Sequence, residues 1–263
     1  MARPVVALLT DFGTRDHYAG TLKGVVLGIC PEASCVDITH DLAPHDVLGG
    51  ALELAAAYKY FPAGTVFLVV VDPGVGSMRR PLAADAGGYR FVAPDNGVLT
   101  LAFQEAAPTR VVELTERRYA RPVVSRTFEG RDRFAPAAAW LATGVELTAL
   151  GRPVGAWQTL PVPEPVVTGD RIVAEVLRVD RFGNLVTNLD RRLFDRFTGE
   201  RPIEIAAGAE TMRGVIGTYA DAAPGSVCAL FGSSEHLEVA VNGGSAAARL
   251  SLARGARITI ART

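Results

Sequence analysis

A carboxylate and a guanidinium seven residues apart stand where a sheet enzyme keeps its chemistry. Asp72 closes the run Val66–Val71, and Arg79 follows inside the stretch LVVVDPGVGSMRR (68–80). An apolar, β-branched run of that length reads as a strand buried on both faces of a parallel sheet. Pro73 offers no ladder donor and Gly74 and Gly76 permit tight turns, so the strand stops and leaves Asp72 at its carboxyl end. In open α/β sheets, ligands bind along that edge. The loop is short enough to fold back and set Arg79 beside the carboxylate. Asp11 has the equivalent position, in the exit turn DFGT after Val5–Thr10. Taken alone, Asp-Pro-Gly is an ordinary surface turn with a solvated ion pair, and the weight shifts only with what stands around it.

Other chemistries find less support. His40, Asp41, His45 and Asp46 crowd into THDLAPHD. They lie in a loop interrupted by Pro44, with no helix to gather them on one face as a metalloprotease motif would, so no metal site is expected. Gly13, Gly20 and Gly24 do not form a dinucleotide fingerprint, and the turn at 74–76 lacks the Lys-Ser/Thr of a phosphate loop. There is no G-x-S-x-G elbow to present a serine nucleophile. What remains is a set of carboxylates, one arginine and turn amides, a set suited to a polar, uncharged or cationic small molecule.

The elements that must position these groups follow from hydrophobic patterning. Strands are expected at Val5–Thr10, Ser34–Ile38, Val66–Val71, Arg90–Ala93 and Val111–Leu114. Helices are expected at Tyr18–Cys30, Val47–Tyr60, Val98–Glu105 and Ala137–Thr143, with TFEGRDRFAP (127–136) as a charged loop. Gly20, Gly24 and Gly28 fall on one side of the first helix and read as packing against a neighbour. This alternation predicts a parallel-rich α/β domain over residues 1–160. After the Pro-spaced linker PVPEPVV (161–167), short extended runs at Gly169–Val179, Leu185–Leu189, Ile203–Ile205, Val227–Phe231, Leu237–Val241, Ala247–Leu252 and Arg257–Ala261 predict a smaller antiparallel, barrel-like β domain over 168–263.

The 263 residues are 49% hydrophobic, enough for a substantial core, and 27 basic against 28 acidic side chains leave no electrostatic footprint for nucleic acid or an acidic membrane. Cys30, Cys35 and Cys228 are an odd, sparse set that fits reduced structural thiols in a cytoplasm. The opening MARPVVALLTDF is too short for a signal-peptide core, and no stretch approaches the roughly 20 apolar residues a bilayer requires. The expectation is a soluble cytoplasmic protein.

Eight ordered motifs then resemble one family along nearly the whole chain: LLTDFGTRDHYAGTLKG, DITHDLAPHD, VVVDPGVGSMRR, APDNGVLT, TFEGRDRFAP, VDRFGNLVTN, TYADAAPG and GSSEHLEVAVNGG. They are similar to the S-adenosyl-L-methionine (SAM) hydroxide adenosyltransferases, relatives of the fluorinase and chlorinase enzymes. The resemblance implies a homotrimer with active sites between the N-terminal domain of one subunit and the C-terminal domain of the next. It implies SAM as substrate, adenosine and L-methionine as products, and no further cofactor. It also implies displacement at ribose C5′ by a water that the protein must place in line and make more nucleophilic.

Residue by residue, the resemblance implies that Asp72 and Arg79 flank the attacking water. The family's third residue there is a histidine, and this chain has Glu129, which can accept the water's proton or pair with Arg79. Asp11 matches the position that holds the ribose hydroxyls, and Asp16, Asp180 and Ser233 match positions around the methionine moiety. Asn184 and the backbone at Asn242 and Gly243 match the adenine edge, Tyr219 is placed to stack on the ring, and His45 matches a pocket-lining position. Asp180, Asn184 and Asn242-Gly243 are also ordinary turn formers. Asp72 together with Arg79 favours water over halide as nucleophile. A SAM- or adenosine-binding protein without catalysis and a halide-dependent adenosyl transferase are the alternatives that the Glu129 departure leaves beside hydrolysis.

Overall fold

The computed structural model describes residues 3–263. Met1 and Ala2, the start of the stretch read as too short for a signal peptide, lie outside them. The chain divides into two compact units, one ending at Pro161 and the other running from Val162 to Thr263.

In the first unit, β1 (Val5–Thr10), α1 (Tyr18–Ile29), β2 (Ser34–Thr39), α2 (Val47–Ala57) and β3 (Val66–Val70) follow the expected alternation. Next come β4 (Pro81–Ala86), β5 (Tyr89–Pro94), α3 (Thr100–Glu105), β6 (Pro108–Leu114), α4 (Ala135–Ala142) and the short β7 (Gly151–Pro153). The seven strands form one sheet in the order β2-β1-β3-β5-β4-β6-β7. The half from β2 to β5 is parallel, whereas β4, β6 and β7 pair antiparallel. β4 is a strand that the sequence reading omits, because Pro81 and Asp85 break its apolar run.

Alternation along the central strands divides the core. Val6, Leu8, Val66, Leu68 and Val70 pack with Leu22 and Val26 of α1 and the alanines of α4. Ala7, Leu9, Phe67 and Val69 face the other way, onto Leu54 of α2 and Phe103 of α3. Both faces are therefore covered, as a parallel sheet requires.

The second unit contains β8 (Val166–Thr168), β9 (Arg171–Val179), β10 (Leu185–Asp190), α5 (Arg191–Thr198), β11 (Ile203–Ala207), β12 (Glu210–Arg213), β13 (Val227–Phe231), β14 (His236–Val241), α6 (Ala246–Leu250) and β15 (Arg257–Arg262). Its strands form a nearly barrel-like antiparallel sheet, β12-β11-β15-β9-β10-β14-β13, with β8 added on β9. The expected fold class, a parallel-rich α/β domain followed by a smaller antiparallel β domain, is the one observed.

Three local expectations are corrected. Ala247–Leu252 is not a strand: Ser245 caps a helix there by accepting the Ala248 N–H at 3.1 Å, and a run of alanines favours the helical state. Arg191–Thr198, where the sequence reading places no element, is a helix, capped by Asp190 and anchored by buried Phe194 and Phe197. TFEGRDRFAP is not a loop throughout, since Gly130–Phe134 winds as a π-turn directly into α4. The glycine stripe on α1 meets nothing either: a Cβ at Gly20, Gly24 or Gly28 would have no atom within 4 Å in this chain.

Candidate active site

Strand order brings the first two carboxylates together. β1 and β3 are parallel neighbours with Thr10 opposite Val70, and from this pair the chain leads outward to β2 on one side and to β5 on the other. The crevice at such a reversal is where open α/β sheets take ligands. Asp11 and Asp72 are the first carboxylates beyond the two strand ends. A cavity of about 260 Å³ opens there, lined by Asp11, His45, Asp72 and Glu129 together with Phe12 and Phe128.

Arg79 folds back as the loop length allows. Its Nε donates to Asp72 Oδ1 and Oδ2 at 2.9 and 3.0 Å, and its Nη2 donates to Asp72 Oδ2 and to Glu129 Oε2. All three side chains are largely buried, with 5, 9 and 13% of Asp72, Arg79 and Glu129 exposed. Burial works against the Arg79 charge, but the two carboxylates outweigh it and raise the guanidinium above its ordinary value, so it remains a cation. The ring of Phe134 lies 5.2 Å below the guanidinium carbon.

Neighbouring turns brace this arrangement. Asn96 of the PDNG turn donates to Val71 O at 2.8 Å, fixing the backbone just before Asp72. Arg80 turns away from Arg79 and pairs with buried Asp95 at 2.5 Å. Gly76, at φ +76°, lets its loop lie against the segment leading to Glu129, because a Cβ there would fall 2.3 Å from Arg126 O. Asp132, fully buried, accepts from Ser125 N at 2.8 Å and from Arg131 at 2.7 and 2.8 Å. Burial pushes its carboxyl up, yet Arg131 and the Ser125 N–H overcome this and hold it below the usual carboxylate range. Glu129 itself starts the π-turn, a feature frequent at functional sites.

The crowded His/Asp loop disperses. His40 is buried, with Nδ1 at 2.7 Å from Thr10 Oγ1 and Nε2 at 3.0 Å from Asp37. Asp46 caps α2 through Gly49 N at 2.9 Å. His45 alone lines the cavity, and its left-handed backbone (φ 70°) directs its N–H onto Asp11 Oδ2 at 2.8 Å. Among the described residues no group of three or more His, Cys, Asp or Glu side chains is arranged to hold a metal.

The second unit carries its own cavity of about 670 Å³, whose lining includes Asp180, Asn184, Tyr219, Ser233 and Gly243. Asp180 accepts the backbone N–H groups of Phe182 and Asn184, each at 2.9 Å, and Asn184 Nδ2 at the same distance. Gly183 is required in that turn: at φ +86°, a Cβ would lie 2.0 Å from Ser245 Oγ. Tyr219 donates to Glu238 Oε2 at 2.9 Å, and burial followed by that carboxylate pushes the phenol up to about 12.

Two expected residues stand apart from the cavities. Asp16 is exposed and lines neither, and Asn242 spends its amide on Ala222 O at 2.7 Å. Tyr18, Phe128 and Glu238 are among the lining residues that the sequence reading does not single out. Tyr18 and Phe128 pack edge to face at 5.1 Å in the first. Glu238 is buried in the wall of the second, and its only sequence signal is a carboxylate inside an otherwise apolar strand.

A switch-point crevice walled by a buried, ion-paired Asp–Arg–Glu chain, followed by a β unit with a cavity of its own, defines the class: an α/β unit and a β unit on one chain, each with a cavity. More narrowly, the chain belongs to the SAM hydroxide adenosyltransferase family. The model of that family's N-terminal domain matches residues 6–151 and that of its C-terminal domain matches residues 174–259. A (R)-S-adenosyl-L-methionine hydrolase of Salinispora tropica is 39% identical, covering 98% of this chain and 97% of its own. One from Thermus thermophilus is 40% identical over 96 and 97%. A fluorinase of Nocardia brasiliensis is 29% identical over 98 and 97%. An uncharacterized conserved protein from Thermotoga maritima superposes with a TM-score of 0.92 at 36% identity, over 98% of this chain and 100% of that one.

Proposed function

We propose that this protein hydrolyses SAM to adenosine and L-methionine. The observation that carries the reading is the buried chain Asp72–Arg79–Glu129 at the carboxyl ends of the parallel strands. The sulfonium is a good leaving group, so the protein's task is to hold one water behind C5′ and stabilise its oxygen as charge develops. Arg79, kept cationic by its two carboxylates, supplies that stabilisation, and Asp72 fixes its direction. The water oxygen bonds to C5′ as the C5′–S pair returns to sulfur, and the water's proton passes to Glu129. Asp11 holds the ribose hydroxyls, with His45 beside it, and Asp180 and Ser233 take the methionine end.

The same proposal extends to a cytoplasmic homotrimer, with no cofactor beyond the substrate. Its support is the family membership and the full-length similarity to (R)-SAM hydrolases. Among the described residues no helix is long and apolar enough to cross a membrane.

Incubation with SAM in isotopically labelled water, with and without chloride, tests the reading by mass spectrometry. Labelled adenosine with methionine is the expected result. 5′-Chloroadenosine would mean that chloride replaces water as the nucleophile, and intact bound SAM would make the protein a sensor.

A further inference from the structure

Glu129 is gripped from two sides. Oε2 takes the Arg79 Nη2 hydrogen bond, while Oε1 faces Arg133 Nε at 3.4 Å. That Nε is buried and makes no hydrogen bond of its own. A buried donor left unsatisfied is destabilising, so its position calls for a reason. Among the described residues the carboxylate paired with Arg133 is Glu129, and at 3.4 Å a turn of the N–H toward Oε1 would complete the hydrogen bond. Charges then alternate along Asp72, Arg79, Glu129 and Arg133. Without the last of them, two carboxylates would share a single buried cation.

We propose that Arg133 is a positioning residue for SAM hydrolysis. It balances the charge of Glu129, aims its carboxylate, and takes over its hydrogen bond when Arg79 turns to the attacking water. This is how Glu129 is held in place to accept the water's proton. The inference rests on the hydrolase reading above.

The test measures kcat and KM for SAM hydrolysis in the wild type, Arg133→Met, Arg133→Lys, Glu129→Gln and the Glu129→Gln/Arg133→Met double variant, after thermal unfolding has shown that each is folded. The wild-type rate judges the hydrolase reading itself, and the variants relative to the wild type judge Arg133. Arg133→Met should lower kcat roughly 10- to 100-fold, as small misplacements of a catalytic group do, with KM changed less than about threefold. Arg133→Lys should recover most of the loss, and in the Glu129→Gln background Arg133→Met should cost nothing further. A second readout is independent of turnover: Glu129→Gln should move the Arg133 Nε–H resonance in arginine-labelled protein. A wild-type kcat in Arg133→Met, an equal loss in both backgrounds, a loss confined to KM, or an unmoved Nε–H resonance would each overturn the proposal.

Discussion

At the scale of single residues, the site depends on one cation shared by two acids. Replacing Arg79 with alanine removes the group proposed to stabilise the attacking oxygen and leaves Asp72 and Glu129 without their common partner. Arg79→Ala and Asp72→Ala should each lower kcat by about 10²- to 10³-fold, while SAM affinity measured by calorimetric titration stays within a few fold. Unchanged turnover in either variant would remove the mechanism. Glu238, in the wall of the second cavity, makes a different prediction. Burial raises its carboxyl above the ordinary 4.5, with Asp180 adding to the effect and the Tyr219 hydrogen bond opposing it. The folded state therefore holds that proton more tightly than the unfolded chain does. The stability this provides is complete below the ordinary carboxyl value and is lost as pH rises through the folded one. Glu238→Gln keeps an acceptor for Tyr219 and has no such loss. Melting temperatures taken from pH 4 to 8 should show the variant gaining on the wild type as pH rises, and a constant difference would refute the assignment.

At the scale of elements, the loops that carry Arg79 and Glu129 lean on one another. Gly76→Ala would set a methyl group against Arg126 O and force the loop from Asp72 to Arg79 away from the segment that carries Glu129. We expect roughly a 10²-fold loss of kcat with the C-terminal unit unaffected, measured by turnover and by hydrogen exchange of that unit. The strands bearing Asp11 and Asp72 were legible in sequence because each is an unbroken apolar run ended by Pro or Gly. β4 was not, since an antiparallel strand entered through Pro81 and interrupted by Asp85 has no such run. The helix at Ala246–Leu250 was missed because its signal is one capping serine before alanines, a pattern too short to show a period. The Asp72–Arg79 pair could be anticipated from loop length alone. The third member of the chain could not, because Glu129 reaches Arg79 across 50 residues of sequence, through a π-turn that no periodicity announces. The family resemblance supplied that position and left open how a glutamate would act there.

At the scale of the whole molecule, the two units are built on separate cores. Phe67, Phe91 and Phe134 anchor the first, while Ile172, Leu185, Phe194 and Ile260 anchor the second. Each also carries a cavity of its own. Two cooperative bodies on one chain need not melt together. Scanning calorimetry of the protein without ligand should resolve two heat-absorption peaks, and Glu238→Gln should displace only one of them. A ligand stabilises whatever it binds according to its concentration relative to its Kd. Methionine at saturating concentration should therefore raise the peak that Glu238→Gln moves and leave the other in place. A single peak insensitive to that distinction would mean that the units melt as one. In calorimetric terms, two cores on one chain make two melting bodies.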